Sequence, residues 1–500
     1  MDILSQLAYG FSVALTPLNI GLVLAGCFFG TLIGALPGIG PINGVAILLP
    51  IAYAMRLPPE SALILLAGIY YGAEYGGRIS SILLNVPGDA GAIMTTLDGH
   101  PMAKKGEGGR ALAISAVASF IGGTTAIVML TIFAPLLSRF AITFGPQDYV
   151  VLMVFAFTCL ATMVGSRPLK TFMGALIGLM LATVGIDSGS GIMRFTLDIP
   201  NLFDGVDFLV VIIGLFAISE VLVLLEAWAR HEYHATKVGR TFISWRDIMF
   251  VKWVLLRSSI SGFLIGVLPG TGASIASAVA YGTEKRLAYG KDEHFGQGDI
   301  RGLAAPEAAN NASAAGAMVP MLTLGIPGSG TTAILLGALL MFNITPGPLL
   351  FTQRPEIAWG LIASMYLGNV ALLVMNLPMV GLFVKLLSIR QAYLVPFILL
   401  LTFVGVYSIH GTTFDLVFMV GLGICGYVLR KLKFSMAPII LGVVLGEVLE
   451  DNLRRALSIS AGEWSILYNS GLTLSLWVAS VVVFAAPLVL NIYKRRAVET

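Results

Sequence analysis

The chain of 500 residues is 57% hydrophobic and 11% charged, with a formal net charge of +3. An ordinary soluble domain carries about 25% charged residues, so this composition excludes a soluble globular fold, whose exterior would be one continuous apolar surface. So small a net charge, with no basic patch carrying interleaved aromatics, gives no basis for a nucleic-acid partner.

A lipid bilayer suits such a surface. At about 20 apolar residues per crossing the chain has room for roughly 10 to 12 transmembrane helices, so the expected fold is an all-α polytopic membrane protein. Met1 to Pro17 contain no Lys or Arg and lack the basic start of a secretory signal, so the N-terminus is read as retained. Apolar stretches follow at 18–36, 42–55, 61–75, 111–137, 149–164, 169–186 and 206–229. Beyond a polar segment they resume at 253–268, 303–324, 330–344, 357–387, 392–409, 412–429, 436–449 and 470–492. Those at 42–55, 61–75 and 330–344 are short or dense in Gly and Pro, which suggests half-helices or re-entrant pieces.

Lys and Arg beside the spans set the orientation. Lys494, Arg495 and Arg496 put the C-terminus in the cytoplasm, and counting back adds Arg430, Lys431 and Lys433, then Lys385 and Arg390. The 230–252 segment, with Arg230, Lys237, Arg240, Arg246 and Lys252, falls on the same side; Arg454 and Arg455 fall outside. The start, uncharged apart from Asp2, points to an external N-terminus.

Two motifs recur in the same order. Gly30-Thr-Leu-Ile-Gly-Ala-Leu-Pro-Gly-Ile-Gly-Pro41 matches Gly262-Phe-Leu-Ile-Gly-Val-Leu-Pro-Gly-Thr-Gly-Ala273 at 8 of 12 positions, at an offset of 232 residues. Val86-Pro87-Gly88-Asp89 resembles Ile326-Pro327-Gly328-Ser329 at an offset of 240, the difference fitting an insertion in the charged loop Glu284 to Arg301. The chain therefore reads as a duplicated unit: an N-terminal repeat at 1–230, a basic cytoplasmic linker at 231–252 and a C-terminal repeat at 253–500. An external N-terminus with an internal linker makes the two halves inverted, an architecture in which secondary transporters bind substrate near the bilayer midplane.

Pro and Gly together stop a helix within the bilayer, and the freed amides and carbonyls then need partners. A helix that starts after such a break aims its amides at an anion, and one that ends before it offers carbonyls to a cation. On this basis Asn85, Pro87, Gly88, Asp89, Pro327, Gly328, Ser329, Thr331 and Thr332 are candidates for a substrate carboxylate, neutral donors suiting it better than phosphate. Pro37, Gly38, Gly40, Asn43, Pro269, Gly270, Thr271, Gly272, Asn310 and Asn311 are candidates for a coupling cation. The competing reading of each motif is a kink or a close helix contact.

Other polar residues carry two readings each. Glu74 and Arg78 have the spacing of an i,i+4 ion pair, or of a gating or coupling pair. Glu307, Asn310, Asn311 and Ser313 precede an apolar run, as a helix cap does, yet also suit a small hydrated cation. Glu447, Glu450, Asp451, Arg454 and Arg455 look like a solvated helix end, with partner docking as the alternative. Cys27, Cys159 and Cys425 lie far apart in apolar runs, and His100, His231, His234, His294 and His410 form no ligand spacing. No nucleophile elbow, phosphate loop or zinc signature favours an enzyme.

Gly34-Ala-Leu-Pro-Gly-Ile-Gly40, Tyr71-Gly72 through Pro87-Gly88-Asp89, and Asp98-Gly99-His100-Pro101 with Gly106 form a set with second-half motifs. These are Gly266-Val-Leu-Pro-Gly-Thr-Gly272, Pro306-Glu-Ala-Ala-Asn-Asn311, Thr323-Leu-Gly-Ile-Pro-Gly-Ser-Gly330, Pro346-Gly347-Pro348 and Leu449-Glu-Asp-Asn-Leu-Arg-Arg-Ala-Leu457. As a set they resemble the large membrane subunit of the tripartite tricarboxylate transporters, the TctA family, over nearly the whole chain. The resemblance implies solute uptake across a bacterial inner membrane, with a periplasmic solute-binding protein and a small four-helix membrane subunit as partners. It implies citrate, other di- or tricarboxylates or aromatic carboxylates as substrate. It further implies symport driven by a Na⁺ or H⁺ gradient, with no other cofactor. A channel or cation/proton antiporter on the same scaffold is the alternative, with Asp89 or Glu307 central to it.

Overall fold

Helix starts and stops follow local chemistry throughout a computed structural model that describes residues 2–163, 168–187, 189–228, 243–288, 294–387 and 391–499. The first half contains α1 (Ile3–Ala14), α2 (Pro17–Ala35), α3 (Gly40–Ala54), α4 (Pro59–Leu84) and α5 (Ile93–Met102). It continues with α6 (Gly108–Ala141), α7 (Pro146–Met163), α8 (Pro168–Ala182), α9 (Phe208–Ile212) and α10 (Ser219–Trp228). The second half contains α11 (Trp245–Val267), α12 (Gly272–Ala288), α13 (Ile300–Leu324), α14 (Gly330–Met341), α15 (Leu350–Gln353) and α16 (Pro355–Asn376). It ends with α17 (Val380–Leu387), α18 (Gln391–His410), α19 (Thr413–Lys431), α20 (Ala437–Ile459) and α21 (Gly471–Glu499). Proline at the first turn, where its missing amide hydrogen costs nothing, opens α2, α4 and α16. Single π-helical segments join α5 to α6 at Ala103–Glu107 and α9 to α10 at Ile213–Ile218.

The chain is an all-α polytopic membrane protein. Among the described residues, six helical rods are long and apolar enough to cross a bilayer: α2, the bent α5–α6 rod, the α9–α10 rod, α11, α16 and α19. The stretch at 61–75 is not a half-helix. It belongs to α4, whose 26 residues span roughly 39 Å. The stretch 357–387 divides into α16 and α17, and α1, α5 and α12 have no counterpart among the apolar stretches. Most of the basic linker, at 229–242, and Arg390 lie outside the described residues.

Two central helices organise the packing. Ser61 to Leu83 of α4 and Gly302 to Thr323 of α13 are buried along their whole length. Without water to drive association, helices in lipid approach through small residues. Gly26, Gly30 and Gly34 form such a stripe on α2, where an added Cβ would lie 2.5, 2.3 and 2.1 Å from the carbonyl oxygens of Leu65, Ile69 and Ala73 on α4. Gly262 and Gly266 on α11 approach Ala309 and Ser313 on α13 in the same way, at 2.5 and 2.3 Å. We expect Gly34→Val to force α2 off α4 and lower the thermal midpoint in detergent by several degrees, because the clash is with backbone. Gly21→Val on the same helix, where nothing lies within 4 Å, should leave the midpoint unchanged in the same melt.

A two-residue antiparallel pairing, β1 (Gly185–Ile186) with β2 (Met193–Arg194), shapes the segment after α8. Glu450 and Arg454 of α20 clamp it: Arg194 reaches Glu450 at 2.7 Å, and Arg454 reaches Asp187 at 2.8 Å. The Ser190 hydroxyl and the Arg454 guanidinium hold the Asp187 carboxyl well below the usual carboxylate range. Glu450 and Arg454, at a helix end that still meets solvent, are thus tied to the chain's own loop.

Candidate functional site

The Pro-Gly breaks share backbone geometry pair by pair. Leu36 (φ −72°, ψ 125°) and Leu268 (φ −75°, ψ 126°) turn the chain out of α2 and α11. Gly38 and Gly270 then take φ of 82° and 77°, and Gly40 and Gly272 take 65° and 61°, a left-handed region costly for any residue with a Cβ. The second pair matches likewise. Left-handed Asn85 (φ 56°) ends α4 with its amide on the Ser80 carbonyl, and Gly325 (φ 67°) ends α13 with its amide on that of Pro320. Backbone bonds stitch the pairs together: the Gly38 amide donates to the Pro87 carbonyl at 3.3 Å and the Gly270 amide to the Gly328 carbonyl at 3.0 Å.

All four breaks border one cavity of about 400 Å³. Gly38, Gly40 and Asn43 line it from the first break, Asp89 from the second, Gly270, Thr271 and Gly272 from the third, and Ser329 and Thr331 from the fourth. The two sets separated on paper into carboxylate and cation residues therefore face a common space. The N-terminal ends of α3, α12, α14 and α20, at Gly40, Gly272, Gly330 and Ala437, all open onto it, and each brings a partial positive charge. Two of them touch, since a Cβ added at Gly330 would lie 3.1 Å from the Cβ of Ala437.

Several expected residues support the walls instead. Asn85 is exposed and caps α4 away from the cavity. Pro37, Pro87, Gly88, Pro269, Pro327 and Gly328 form the breaks without lining the space. The Thr332 hydroxyl is spent in a capping box, accepting from the Ser329 amide at 2.8 Å while Ser329 Oγ accepts from the Thr332 amide at 3.2 Å. Two of the amides after Gly88 are taken as well. No helix starts there until Ile93, and the Asp89 carboxylate accepts from the amides of Gly91 and Ala92 at 3.0 and 3.2 Å. An external carboxylate at that turn would meet Asp89 first.

Behind the wall runs a buried polar seam. Glu74 lines the cavity with 2% exposure, and its Oε2 has no hydrogen-bond partner. Asn310 is its neighbour and acts on its carboxyl, but beyond that contact neither amide atom has a hydrogen-bond partner, and the side-chain oxygens of Asn311 and Asn43 are unpartnered too. Orphaned buried acceptors are rare enough to mark a place for an occupant. Asn310 Oδ1 and Asp89 Oδ2 converge at Gly91, 2.3 and 3.0 Å from where its Cβ would be. The i,i+4 pair of Glu74 and Arg78 is not made. Arg78 lies over the Tyr75 ring and donates to Tyr75 O at 2.9 Å and Ser115 Oγ at 3.3 Å, and the acid whose charge it feels most is Glu307. Glu307 is no helix cap either: α13 starts at Ile300 with Asp299 as its N-cap, so Glu307, Asn310 and Asn311 sit buried at mid-helix. There Glu307 accepts from Thr95 at 2.5 Å and from Ser119 at 3.0 Å.

Two residues of the site escaped sequence reasoning. Glu220, 5% exposed in its side chain, forms an ion pair with Arg430 and accepts from Asn43 Nδ2 at 3.1 Å; Arg430 lines the cavity. An acid in the middle of the apolar 206–229 stretch, away from Asp207 and Glu226 nearer its ends, was the available signal, because an ionised group within a span needs a partner or a task. Arg430 gave none, since a basic residue at the end of a span satisfies orientation alone.

A family model described as the tripartite tricarboxylate transporter TctA family matches residues 20–441. A protein of Agrobacterium vitis, described as an uncharacterized 52.8 kDa protein in the TAR-I ttuC′ 3′ region, is 39% identical over 496 residues, covering 99% of this chain and 98% of that one. Another from the same organism, described as an uncharacterized protein in the TAR-II ttuC′ 3′ region, is 43% identical over 235 residues, or 47% of this chain and 97% of that protein. No solved structure matches.

Proposed function

The chain belongs to the tripartite tricarboxylate transporter TctA family, and from that premise we propose that it is the large permease subunit of a secondary transporter importing tricarboxylates or related di- or aromatic carboxylates. Membership makes it a multi-pass component of a tripartite transport system. Its proposed setting is a bacterial inner membrane with the C-terminus cytoplasmic, and its proposed partners are a small membrane subunit and a periplasmic solute-binding protein. The proposed driving force is a Na⁺ or H⁺ gradient. The matched backbone geometry of the paired breaks supports two repeats, 1–230 and 253–500, joined by the linker at 231–252, and their proposed relation is inverted.

One observation carries the reading: the paired breaks and the starts of α3, α12, α14 and α20 meet at a single cavity. Broken helices survive in a bilayer where they line a cavity, and positive helix ends facing inward favour an anion. On this reading the amides of Gly330 and Thr331, with the hydroxyls of Ser329 and Thr331, hold a carboxylate, while Glu74, Asn310 and Asp89 hold the coupling cation. Ser329→Ala and Thr331→Val should each raise the half-saturating citrate concentration roughly tenfold, since each removes a hydrogen bond to a charged group. Uptake unchanged across substrate concentrations would remove these residues from the site.

The function is tested by labelled citrate and dicarboxylate uptake into proteoliposomes holding this chain with its small subunit and binding protein under a Na⁺ or proton gradient. Gradient-dependent accumulation that needs the binding protein is the expected result. Ion flux through this chain without any carboxylate would instead favour a channel or antiporter.

A further inference from the structure

Arg430 is paired in an unusual way. Its partner, Glu220, sits in the first turn of α10, directly after the π segment, and Arg430 in the last turn of α19. One terminal nitrogen of the guanidinium meets Glu220 Oε2, the same oxygen that accepts from Asn43. Arg430 Nε is buried and has no partner. An arginine committed to a structural ion pair commonly grips its carboxylate through two parallel bonds. This one is held by a single nitrogen, keeps 23% of its side chain exposed, and stands in the wall of the cavity. The neighbouring rung between the same helices supplies a contrast: Lys431 pairs with Glu226 and is half exposed outside the cavity, so α10 and α19 are already tied without Arg430.

We propose that Arg430 is the residue that selects for a second carboxylate on the substrate, with Glu220 as a positioning residue that holds the guanidinium while the cavity is empty. This rests on the carboxylate reading of the cavity. The start of α14 at Ser329–Gly330 supplies one anion position, next to the start of α20, and Arg430 supplies a separate one with a full charge. A polycarboxylate engages both. A monocarboxylate engages one, and the amides of α14 alone satisfy it. Glu220 competes with the substrate for Arg430, so it fixes the orientation of the guanidinium and weakens binding at once.

The test is direct binding to the detergent-purified complex of this chain with its small subunit, which avoids the selectivity of the binding protein. Labelled citrate is titrated, then displaced by malate and by acetate. Arg430→Gln should weaken citrate and malate by roughly 10- to 100-fold, the worth of a hydrogen-bonded charge, and change acetate less than about threefold. Arg430→Lys should fall between, since it keeps the charge and loses the fork. Glu220→Gln should tighten citrate and leave acetate unaffected. Should Arg430→Gln fail to fold, the double variant Glu220→Gln with Arg430→Gln leaves no unpaired buried charge and should show the same loss for citrate and malate. Equal weakening of all three ligands, or none, in a folded variant overturns the selective role while leaving the carboxylate site intact. A wild-type complex that binds no carboxylate overturns both.

Discussion

Glu307→Leu is expected to be among the most destabilising single substitutions in the chain, at about 3–5 kcal/mol, the range for leaving a buried charge uncompensated. Arg78 and Glu307 are each 1% exposed, on the two central helices α4 and α13. They make no direct ion-pair contact, yet Glu307 contributes the largest favourable charge acting on the buried guanidinium. The same carboxylate accepts from Thr95 on α5 and Ser119 on α6, so leucine would also strand two hydroxyls. Glu307→Gln keeps the acceptor without the charge and should lie between. The decisive measurement is the double-mutant cycle with Arg78→Met, read as thermal midpoints in detergent. Recovery of most of the loss in Arg78→Met with Glu307→Leu is the expected result. Strict additivity would mean that the two charges do not depend on each other.

That pairing also shows what kind of information the sequence holds. Breaks written in Pro and Gly were legible because their cause is local: a missing amide hydrogen and a left-handed φ act on the residues that carry them, and Gly38, Gly40, Gly270 and Gly272 all adopt positive φ. Apolar length was legible for the same reason. α4 was cut short on paper because Tyr, Gly, Glu74 and Arg78 interrupt its hydropathy, although burial on all sides by neighbouring helices keeps it helical to Leu84. α12, built largely from Ala, Gly and Ser, showed too little hydropathy to register. Partnerships across the chain were not legible. Spacing suggested Glu74 for Arg78 and capping for Glu307, whereas helix packing brings Arg78 and Glu307 together across 229 positions and sets Glu220 against Arg430 across 210. The cavity was legible as a list of its breaks. Its charged wall was not, because it forms only when the α9–α10 rod and α19 fold against those breaks.

The second large effect is functional. Glu74→Gln is expected to abolish gradient-driven citrate accumulation, bringing the internal-to-external ratio down to about one, while changing citrate binding less than about threefold. Glu74 lies one turn beyond Tyr70 on α4 with one carboxylate oxygen buried and unpartnered, beside an Asn310 whose amide has no partner apart from Glu74 itself, with Asp89 close by. Two neighbouring acids and an orphaned amide form an arrangement that is expensive when empty. A monovalent cation or a proton relieves it by supplying positive charge where the oxygens converge, and each turn of the transport cycle would then carry that charge with the substrate. Glutamine keeps the size and one acceptor of Glu74 but removes the charge that would hold the cation, so energy from the gradient is lost while the anion position at Ser329 and Thr331 is untouched. Glu74→Asp, shorter by one methylene, should retain part of the accumulation. The measurement is uptake against equilibrium binding in the same proteoliposome preparation. Full accumulation by Glu74→Gln under both a Na⁺ and a proton gradient would move the coupling site elsewhere, and a parallel collapse of citrate binding would make Glu74 part of the substrate site instead.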